Sequence, residues 1–289
     1  MGHDVTILDN ITTGQLSNTP IKAKLINIDL ADKESLNMIP VEDYKAILHL
    51  AAQTSGEISN ENPHMDLTTN AIGTLNLLQW CSANNIKRFL YASSMAVYGL
   101  TGDEAIHESH PLNPYSFYGI SKQAAENYVH HFDETGISTT ILRMFNVYGP
   151  GQDLSNMKQG MVSIYLSYLC QNIPILVKGS LDRFRDYIFI EDVTEAWIRC
   201  IDNPDTYGKT YNLASGNKIL VKDLLSSLIS AWGYDPKDYK IQLGENTPRD
   251  QFGIYADTTS LTKTLQWHPE YSLDQGLQIM CKWAKTLSN

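Results

Sequence analysis

The sequence predicts an α/β protein, with a Rossmann-like doubly wound parallel sheet followed by a smaller mixed α/β region. Short apolar runs alternate with longer helical patterns in the first half, an order typical of βαβ units with helices on both sheet faces. After Tyr148-Gly149-Pro150-Gly151 the elements become shorter and more mixed. We therefore expect two regions, residues 1–150 and 151–289, the second mainly binding substrate and interleaved with the first around a cleft.

The individual elements follow from the spacing of apolar residues. In the first region, strands are predicted at residues 3–8, 46–50, 88–92 and 138–143, and helices around residues 66–84 and 118–134. In the second region, helices are predicted at residues 160–171, residues 223–232 and Leu273–Leu287, and short strands at residues 175–177 and 187–190. No repeat or low-complexity linker separates the two regions.

Composition and charge exclude several classes of protein. The chain has 22 Lys and Arg against 32 Asp and Glu, and its formal net charge of -10 argues against nucleic-acid and anionic-membrane partners. The four cysteines form no Cys-x-x-Cys or Cys/His cluster, so neither a disulfide framework nor a metal site is expected. No apolar run reaches the roughly 18 residues of a membrane span, and no signal-peptide pattern is present. We expect a cytoplasmic protein.

Asp9 follows the first predicted strand and precedes the turn-forming Thr12-Thr13-Gly14. In a dinucleotide-binding βαβ unit, a glycine-rich turn holds the pyrophosphate, and an acidic residue about 20 positions later binds the ribose hydroxyls. Asp9 matches that acidic residue. No glycine-rich turn stands before it in this sequence.

Tyr118 and Lys122 are four residues apart on a predicted helix, so both side chains lie on one face. This spacing is expected about once by chance in such a composition, so an exposed helix pair is the alternative. Ser93 and Ser94, however, stand where the preceding strand ends, and a hydroxyl there can face the cleft. A tyrosine base near neutrality needs its pKa lowered by roughly 3 units, about 4 kcal/mol, and the Lys122 ammonium and an oxidised nicotinamide would supply positive charge.

Eight segments resemble, in order and spacing, the NAD-dependent sugar-nucleotide epimerase/dehydratase family of extended short-chain dehydrogenases/reductases. They are HDVTILDN, INIDLAD, ILHLAAQTS, NAIGTLNLL, ASSMAVYG, YGISK, RMFNVYGPGQ and RFRDYIFIEDVTEA. The likeness covers essentially the whole chain and is to the UDP-glucose 4-epimerase-like members. It implies the Rossmann-like fold, NAD as cofactor and a nucleoside-diphosphate sugar as substrate, with a UDP-sugar preferred because UDP is commonest among relatives.

The resemblance also implies a cofactor site. It assigns the adenosine ribose to Asp9 and Asn10, adenine to Asp29 and Leu30, the pyrophosphate and ribose side to Leu50, Ala51, Ala52 and Gln53, and a further cofactor-side position to Asn70. A plain turn or helix cap is the alternative for Asp29, and a buried, hydrogen-bonded helix position is the alternative for Asn70.

The catalytic residues implied by the resemblance are Ser94, Tyr118 and Lys122. Ser94 holds the sugar hydroxyl, Tyr118 is the acid/base, and Lys122 lowers the pKa of Tyr118 while binding the nicotinamide ribose. Core positions are expected for the aromatic residues Tyr98, Phe145 and Tyr148, and structural roles for His49, His130 and His131.

On the substrate side, the resemblance implies that Asn146 and Arg185 contact the nucleotide diphosphate, because a guanidinium presents several fixed donors. Arg183 lies in the same segment, and either arginine could be a solvated surface charge; Arg185 is preferred. The family often has Arg-Pro-Gly-Asp near the C-terminus, where this chain has Thr247-Pro248-Arg249-Asp250. Arg249 is therefore a displaced candidate for the diphosphate.

Met95 and Ala96 favour epimerisation over elimination. Dehydrating and decarboxylating relatives usually carry an acidic residue at these positions, and neither Met nor Ala can transfer a proton. The resemblance then implies epimerisation at C4 through a 4-keto intermediate; a dehydratase or reductase is the alternative. Ile254 aligns with the position that often gates the sugar pocket, and its size suggests space for an N-acetyl group.

The family places about 25 residues before His3, including the first strand and the glycine-rich turn. We expect the activity in a full-length parent that includes them; a short form that binds NAD poorly and a cofactor-free interaction subunit are the alternatives. The retained trio of Ser94, Tyr118 and Lys122 favours descent from a working enzyme. The helices at residues 66–84 and 118–134 match those through which relatives dimerise, so a homodimer is expected.

Overall fold

The central sheet of the computed structural model, which describes residues 2–245 and 251–287, is parallel. Its strand order is β10–β5–β4–β3, formed by β3 (Ile47–His49), β4 (Arg88–Ser94), β5 (Ser138–Met144) and β10 (Lys209–Leu213). A separate parallel pair joins β1 (Thr6–Asp9) to β2 (Lys24–Asn27), with Asp9 opposite Asn27. Strand β2 was not among the predicted strands.

Helices cover both faces of the central sheet. Phe89 and Tyr91 of β4 belong to one core cluster with residues of α3 (Gly73–Ala83) and α4 (Phe117–Glu134). Leu90 and Ala92 belong to another cluster with residues of α6 (Ile190–Ile201). Because successive side chains of a strand point to opposite faces, this alternation places one helical layer on each side. The predicted doubly wound α/β class is confirmed.

The helix predicted at residues 66–84 is longer at its start and contains an irregular turn. After α1 (Gly56–Glu61), α2 (Pro63–Leu67) begins behind Asn62, whose side chain accepts a hydrogen bond from the Met65 amide at 3.1 Å. A π-helical turn, Thr68–Ile72, then connects α2 to α3. Pro63 suits the first turn of α2, because a backbone N–H at this position would have no intrahelical partner and its absence costs nothing. The Asn62 cap and Pro63 therefore set the start of the helix earlier than predicted.

The second region is built around helices α5 (Met161–Cys170), α7 (Val221–Trp232) and α9 (Leu273–Leu287), which share one core cluster. Three short strand pairs surround them: β6 (Asn146–Tyr148) with β9 (Tyr187–Phe189), β7 (Ile175–Lys178) with β12 (Ile241–Gly244), and β8 (Phe184–Arg185) with β11 (Ile219–Leu220).

Several elements after residue 150 pack with the first region. Strand β10 pairs with β5, α6 packs against β4, and α8 (Thr259–Leu265) packs against β10. The chain therefore crosses between the two regions more than once, and the boundary at residue 150 stays a prediction. None of the helices within the described ranges has the length and apolar character needed to cross a membrane.

Candidate active site

A cleft of about 940 Å³ lies at the carboxyl ends of β4 and β5. Its lining includes residues from both regions, among them Ser94, Tyr118, Asn146, Arg183 and Arg185. The carboxyl ends of parallel strands are where open α/β sheets bind ligands. The structure therefore brings the predicted acid/base and the predicted substrate-side residues to one cavity.

Ser94 and Tyr118 both line the cleft. Ser94 ends β4, and its Oγ accepts a hydrogen bond from the Ala96 amide at 3.2 Å, which starts a short helical turn. Tyr118 lies in the first turn of α4, which Ser116 caps by accepting from the Gly119 amide at 3.1 Å. The Ser94 side chain lies close enough to the Tyr118 hydroxyl to lower its pKa.

Lys122 lies one helical turn after Tyr118 and is 2% exposed. Its Nζ donates a hydrogen bond to the Ala92 carbonyl at 2.9 Å and lies 6.0 Å from the centroid of the Tyr118 ring. It also lies 5.0 Å from the centroid of the Tyr91 ring. The pair is therefore not the exposed helix pair that was the alternative.

Gly119 permits the close approach of α4 to the turn after Ser94. A Cβ at Gly119 would lie 2.4 Å from the Ala96 carbonyl oxygen and 2.9 Å from the Pro114 Cβ. Real Cβ atoms do not approach backbone oxygen this closely, so any side chain here would push the helix away. The glycine inside YGISK was a signal for this contact that sequence reasoning did not use.

Burial works against ionisation of both helix residues. Desolvation raises the pKa of Tyr118 to about 12, because the neighbouring Ser94 side chain only partly offsets it and the Asp66 carboxylate adds repulsion. Burial also lowers the pKa of Lys122 to about 8, against the opposing charges of Asp66 and Glu126. In the chain itself the pKa of Tyr118 is therefore raised rather than lowered. The lowering expected from the resemblance needs positive charge beyond that of Lys122.

Asp9 lies at the end of β1 with its carboxylate partly exposed. One carboxylate oxygen accepts the Ile11 amide at 2.7 Å, and a Cβ at Gly14 would lie 3.1 Å from each oxygen. Asn10 is exposed, and Asp29 accepts the Ala31 amide at 2.9 Å in a turn. This arrangement suits the binding of ribose hydroxyls at Asp9, because a carboxylate has about four acceptor sites.

The segment after β3 is held by Asn70. The Asn70 Oδ1 accepts the Gln53 amide at 2.8 Å, and its Nδ2 donates to the Gln53 carbonyl at 2.9 Å. Leu50 and Ala51 are exposed, whereas Leu30 is buried against the core cluster of α3. Asn70 is 1% exposed, so the alternative of a buried, hydrogen-bonded helix residue describes it, and it acts on this loop by holding Gln53.

Both candidate arginines are buried at the cleft. Arg185 is 3% exposed and donates to the carbonyl groups of Gln251 at 2.7 Å and Phe252 at 3.1 Å. Arg183 is 6% exposed, and its Nε donates to the Ser180 carbonyl at 3.3 Å. The alternative of a solvated surface charge is therefore wrong for both, because each guanidinium is enclosed by backbone.

The other substrate-side candidates have mixed outcomes. The Asn146 Nδ2 donates to the Asp186 carbonyl at 2.9 Å, and the residue lines the cleft. Arg249 lies outside the described residues. Ile254 is fully buried in a cluster with Val97 and Phe145 and is not among the residues lining the cleft, so its predicted gating of an N-acetyl pocket is not supported.

Sequence reasoning missed the loop at residues 151–160, which contributes to the lining of the cleft. The Ser55 Oγ donates to the Lys158 carbonyl at 2.7 Å, and the Lys158 Nζ lies 2.6 Å from a Glu61 carboxylate oxygen. Asn18 donates to the Gly151 carbonyl at 3.3 Å. These partners are 97 to 133 positions apart in sequence, so local patterns do not reveal them.

The histidines and cysteines show no sign of metal chemistry. His49 is buried, shares a hydrogen bond with Thr74 at 2.9 Å, and has its pKa lowered to about 3 by desolvation, so it is neutral. All four cysteines are free thiols. In the part of the chain that the structure describes, no three His, Cys, Asp or Glu side chains are placed to hold a metal ion.

Comparisons with known proteins agree on one family. The sequence model of the NAD dependent epimerase/dehydratase family matches residues 1–214. A putative UDP-glucose 4-epimerase of Methanocaldococcus jannaschii is 32% identical, over 98% of this chain and 91% of its own length. The Thermotoga maritima UDP-glucose 4-epimerase solved with UDP-glucose has a TM-score of 0.94 at 27% identity, covering 100% of this chain and 93% of that one. The Thermus thermophilus UDP-glucose 4-epimerase complex with NAD has a TM-score of 0.89 at 27% identity, covering 97% of this chain and 91% of that one.

Proposed function

The chain belongs to the NAD dependent epimerase/dehydratase family, and from this premise we propose that it is a sugar-nucleotide epimerase acting at C4 of a UDP-sugar. The carrying observation is that Ser94 and Tyr118 line one cleft, with Ser94 close enough to lower the pKa of Tyr118, and that Met95 and Ala96 line the same cleft. Neither Met95 nor Ala96 supplies an acid at the position that elimination would use. The relatives named UDP-glucose 4-epimerase support the same assignment.

NAD is the cofactor of this family, and the residues on its expected side fit it. The Asp9 carboxylate would bind ribose hydroxyls, the loop Leu50 to Gln53 would border the pyrophosphate side, and Lys122 would bind the nicotinamide ribose. The raised pKa of Tyr118 fits as well, because oxidised nicotinamide adds the positive charge that the chain's own residues lack. When bound, NAD supplies reversible acceptance of hydride from the sugar carbon.

Tyr118 and Ser94 perform the proton transfer in this proposal. Ser94 orients the sugar hydroxyl toward Tyr118, because both side chains line the same cleft. Tyr118 removes the hydroxyl proton as the C4 ketone forms, and returns a proton after the ketosugar has turned over. Lys122 favours the phenolate form of Tyr118 through its positive charge. The cleft volume of about 940 Å³ supports the reorientation that epimerisation requires.

Arg183, Arg185 and Asn146 would bind the diphosphate of the substrate. Guanidinium groups bind phosphate through several fixed donors, and both arginines line the cleft while remaining tied to backbone carbonyls. Such anchoring limits side-chain rearrangement on binding. The sugar is then free to turn at the Tyr118 end of the cleft.

We further propose a homodimer formed through α2, its π-helical turn and α4. These elements carry exposed apolar side chains, including Leu67 at 47%, Ile72 at 38% and Ile120 at 49% exposure. A set of exposed apolar residues on adjacent helices marks an interaction surface. Pairing with a second copy would remove this surface from water.

The test is NAD content after denaturation of the full-length protein, together with interconversion of UDP-glucose and UDP-galactose. We expect bound NAD, interconversion, and a fall in kcat of about 10²- to 10⁴-fold for Tyr118→Phe. Tyr128→Phe on the same helix, whose side chain is 36% exposed, is the matched control and is expected to keep wild-type turnover. Release of one water molecule from the sugar would instead identify a dehydratase. A folded protein that contains no NAD would identify an interaction subunit.

A further inference from the structure

Asp66 is a buried carboxylate next to the catalytic residues that no step above uses. It lies on α2 and is 1% exposed. Its Oδ1 accepts hydrogen bonds from Gln53 Nε2 at 2.7 Å and Asn70 Nδ2 at 3.2 Å, while its Oδ2 is buried with no hydrogen-bond partner. A buried charge is costly unless an opposite charge compensates it, so this carboxylate requires a nearby cation.

Lys122 is a buried cation on α4, the helix against which α2 packs, and its charge acts on Asp66. This ammonium is also buried, donates to the Ala92 carbonyl, and is stabilised in its charged form by two carboxylates, Asp66 and Glu126. Glu126 is already neutralised, because Arg143 binds both of its oxygens, at 2.9 and 2.7 Å. Of the two carboxylates, Asp66 is therefore the one whose charge is available to balance Lys122.

We propose that Asp66 is a positioning residue for the reaction: it is the buried counter-charge of Lys122, and it fixes the Gln53 loop against α4. The inference rests on the proposed function, since it concerns the same acid/base pair. The link to α4 runs through Asn70, whose Nδ2 donates to Asp66 Oδ1 at 3.2 Å and to Ser121 Oγ at 3.0 Å, and Ser121 is the neighbour of Lys122. One carboxylate thus joins the cofactor-side loop to the helix that carries the catalytic residues.

The other titratable groups around Lys122 and on α1 are either kept neutral by burial or paired with a cation. Burial lowers the pKa of His49 to about 3 and raises the pKa of Tyr91 well above 10. Arg143 holds Glu126 as an ion pair. On α1, Glu57 and Glu61 lie within 4 Å of Lys158 at the surface. Loss of the Asp66 charge would therefore act on Lys122 and Tyr118, lowering the pKa of both.

The test is the pH profile of kcat for Asp66→Asn, which removes the charge and keeps a hydrogen-bonding side chain. Both limbs of the profile are expected to move to lower pH by about one unit. Asp192→Asn is the matched control. Asp192 is also 1% exposed, but it lies on α6 and accepts the backbone amides of Glu270 and Tyr271. Its substitution is expected to leave both limbs in place.

A second readout does not depend on activity. Unfolding free energy against pH should show the stability gain linked to Lys122 deprotonation starting at lower pH in Asp66→Asn than in wild type. If the wild type is active and the kcat pH profile of Asp66→Asn superimposes on that of the wild type, the inference is overturned. An inactive wild type would contradict the proposed function instead. If Asp66→Asn does not fold, Asp66→Glu is the second variant, because it keeps the negative charge. A pH profile of kcat with both limbs at the wild-type pH and a lower maximal kcat supports the inference. A profile with displaced limbs contradicts it.

Discussion

Lys122 is buried and Tyr118 is half-buried, and desolvation shifts the pKa of each toward its neutral form. The pKa of Tyr118 rises to about 12, so its phenol is neutral near pH 7, whereas the pKa of Lys122 falls to about 8 and leaves the ammonium form predominant there. The enzyme must therefore obtain the phenolate form of Tyr118 from nearby positive charge. Such perturbed groups in a cleft are typical of functional sites.

The burial of Lys122 predicts a measurable dependence of stability on pH. Between about pH 8 and 10.5 the unfolded chain binds a proton at Lys122 and the folded chain does not. The unfolding free energy of the wild type therefore rises with pH over this range, compared with that of Lys122→Met. The difference in unfolding free energy should change by at most about 1.4 kcal/mol per pH unit. Denaturant unfolding at a series of pH values measures it. Lys282→Met, at an exposed position, is the control, and its curve of unfolding free energy against pH should run parallel to that of the wild type. A parallel curve for Lys122→Met would contradict the burial of the Lys122 charge.

The placement of Ser94 at the end of β4 and of Tyr118 and Lys122 on α4 could be predicted from the sequence, because these residues stand in short motifs at the ends of predicted elements. Asp66 and Arg183 could not be assigned this way, since a carboxylate on a helix and a second arginine in a loop have ordinary surface alternatives. Their roles depend on burial and on partners far away in the sequence. The gating suggested for Ile254 stays a prediction without support from the structure, because alignment with a motif does not show which face a side chain occupies.

At the scale of elements, the approach of α4 to the end of β4 decides whether Ser94 can reach Tyr118. Gly119 is the contact point, and the turn of Ser94 to Ala96 is its partner. The long helices and central strands were predictable from apolar spacing. The early start of α2, strand β2 and the π-helical turn were not, because caps and tertiary packing set them.

Gly119→Ala is expected to displace the first turn of α4 from the Ala96 carbonyl, since the added Cβ would lie 2.4 Å from that oxygen. We predict a fall in kcat of about tenfold or more, because a displacement near 1 Å can cost about 10²-fold in rate. Steady-state kinetics and thermal unfolding measure the two effects. Gly102→Ala, where a Cβ would meet nothing within 4 Å, is the control. Wild-type kcat in Gly119→Ala would show that the close approach is not needed.

At the scale of the whole molecule, the proposed homodimer buries the outer surface of the helices whose inner surface forms the active site. Ile120 lies between Tyr118 and Lys122 in sequence but is 49% exposed. Ile120→Glu should therefore yield a monomer, because it places a charge in an apolar interface. Analytical ultracentrifugation against wild type measures this; Lys282→Glu on α9 is the control. A monomeric wild type would contradict the proposed interface.

The central claim is that one tyrosine and one cofactor oxidise and re-reduce the same sugar carbon in a single cleft. Conversion of a UDP-glucose labelled with deuterium at C4, followed by mass spectrometry and NMR of the product, tests it most directly. The account predicts UDP-galactose that keeps its deuterium at C4, because the hydrogen removed from that carbon is returned to it without reaching solvent. Loss of the label to water, or deuterium found at another carbon, would contradict the account.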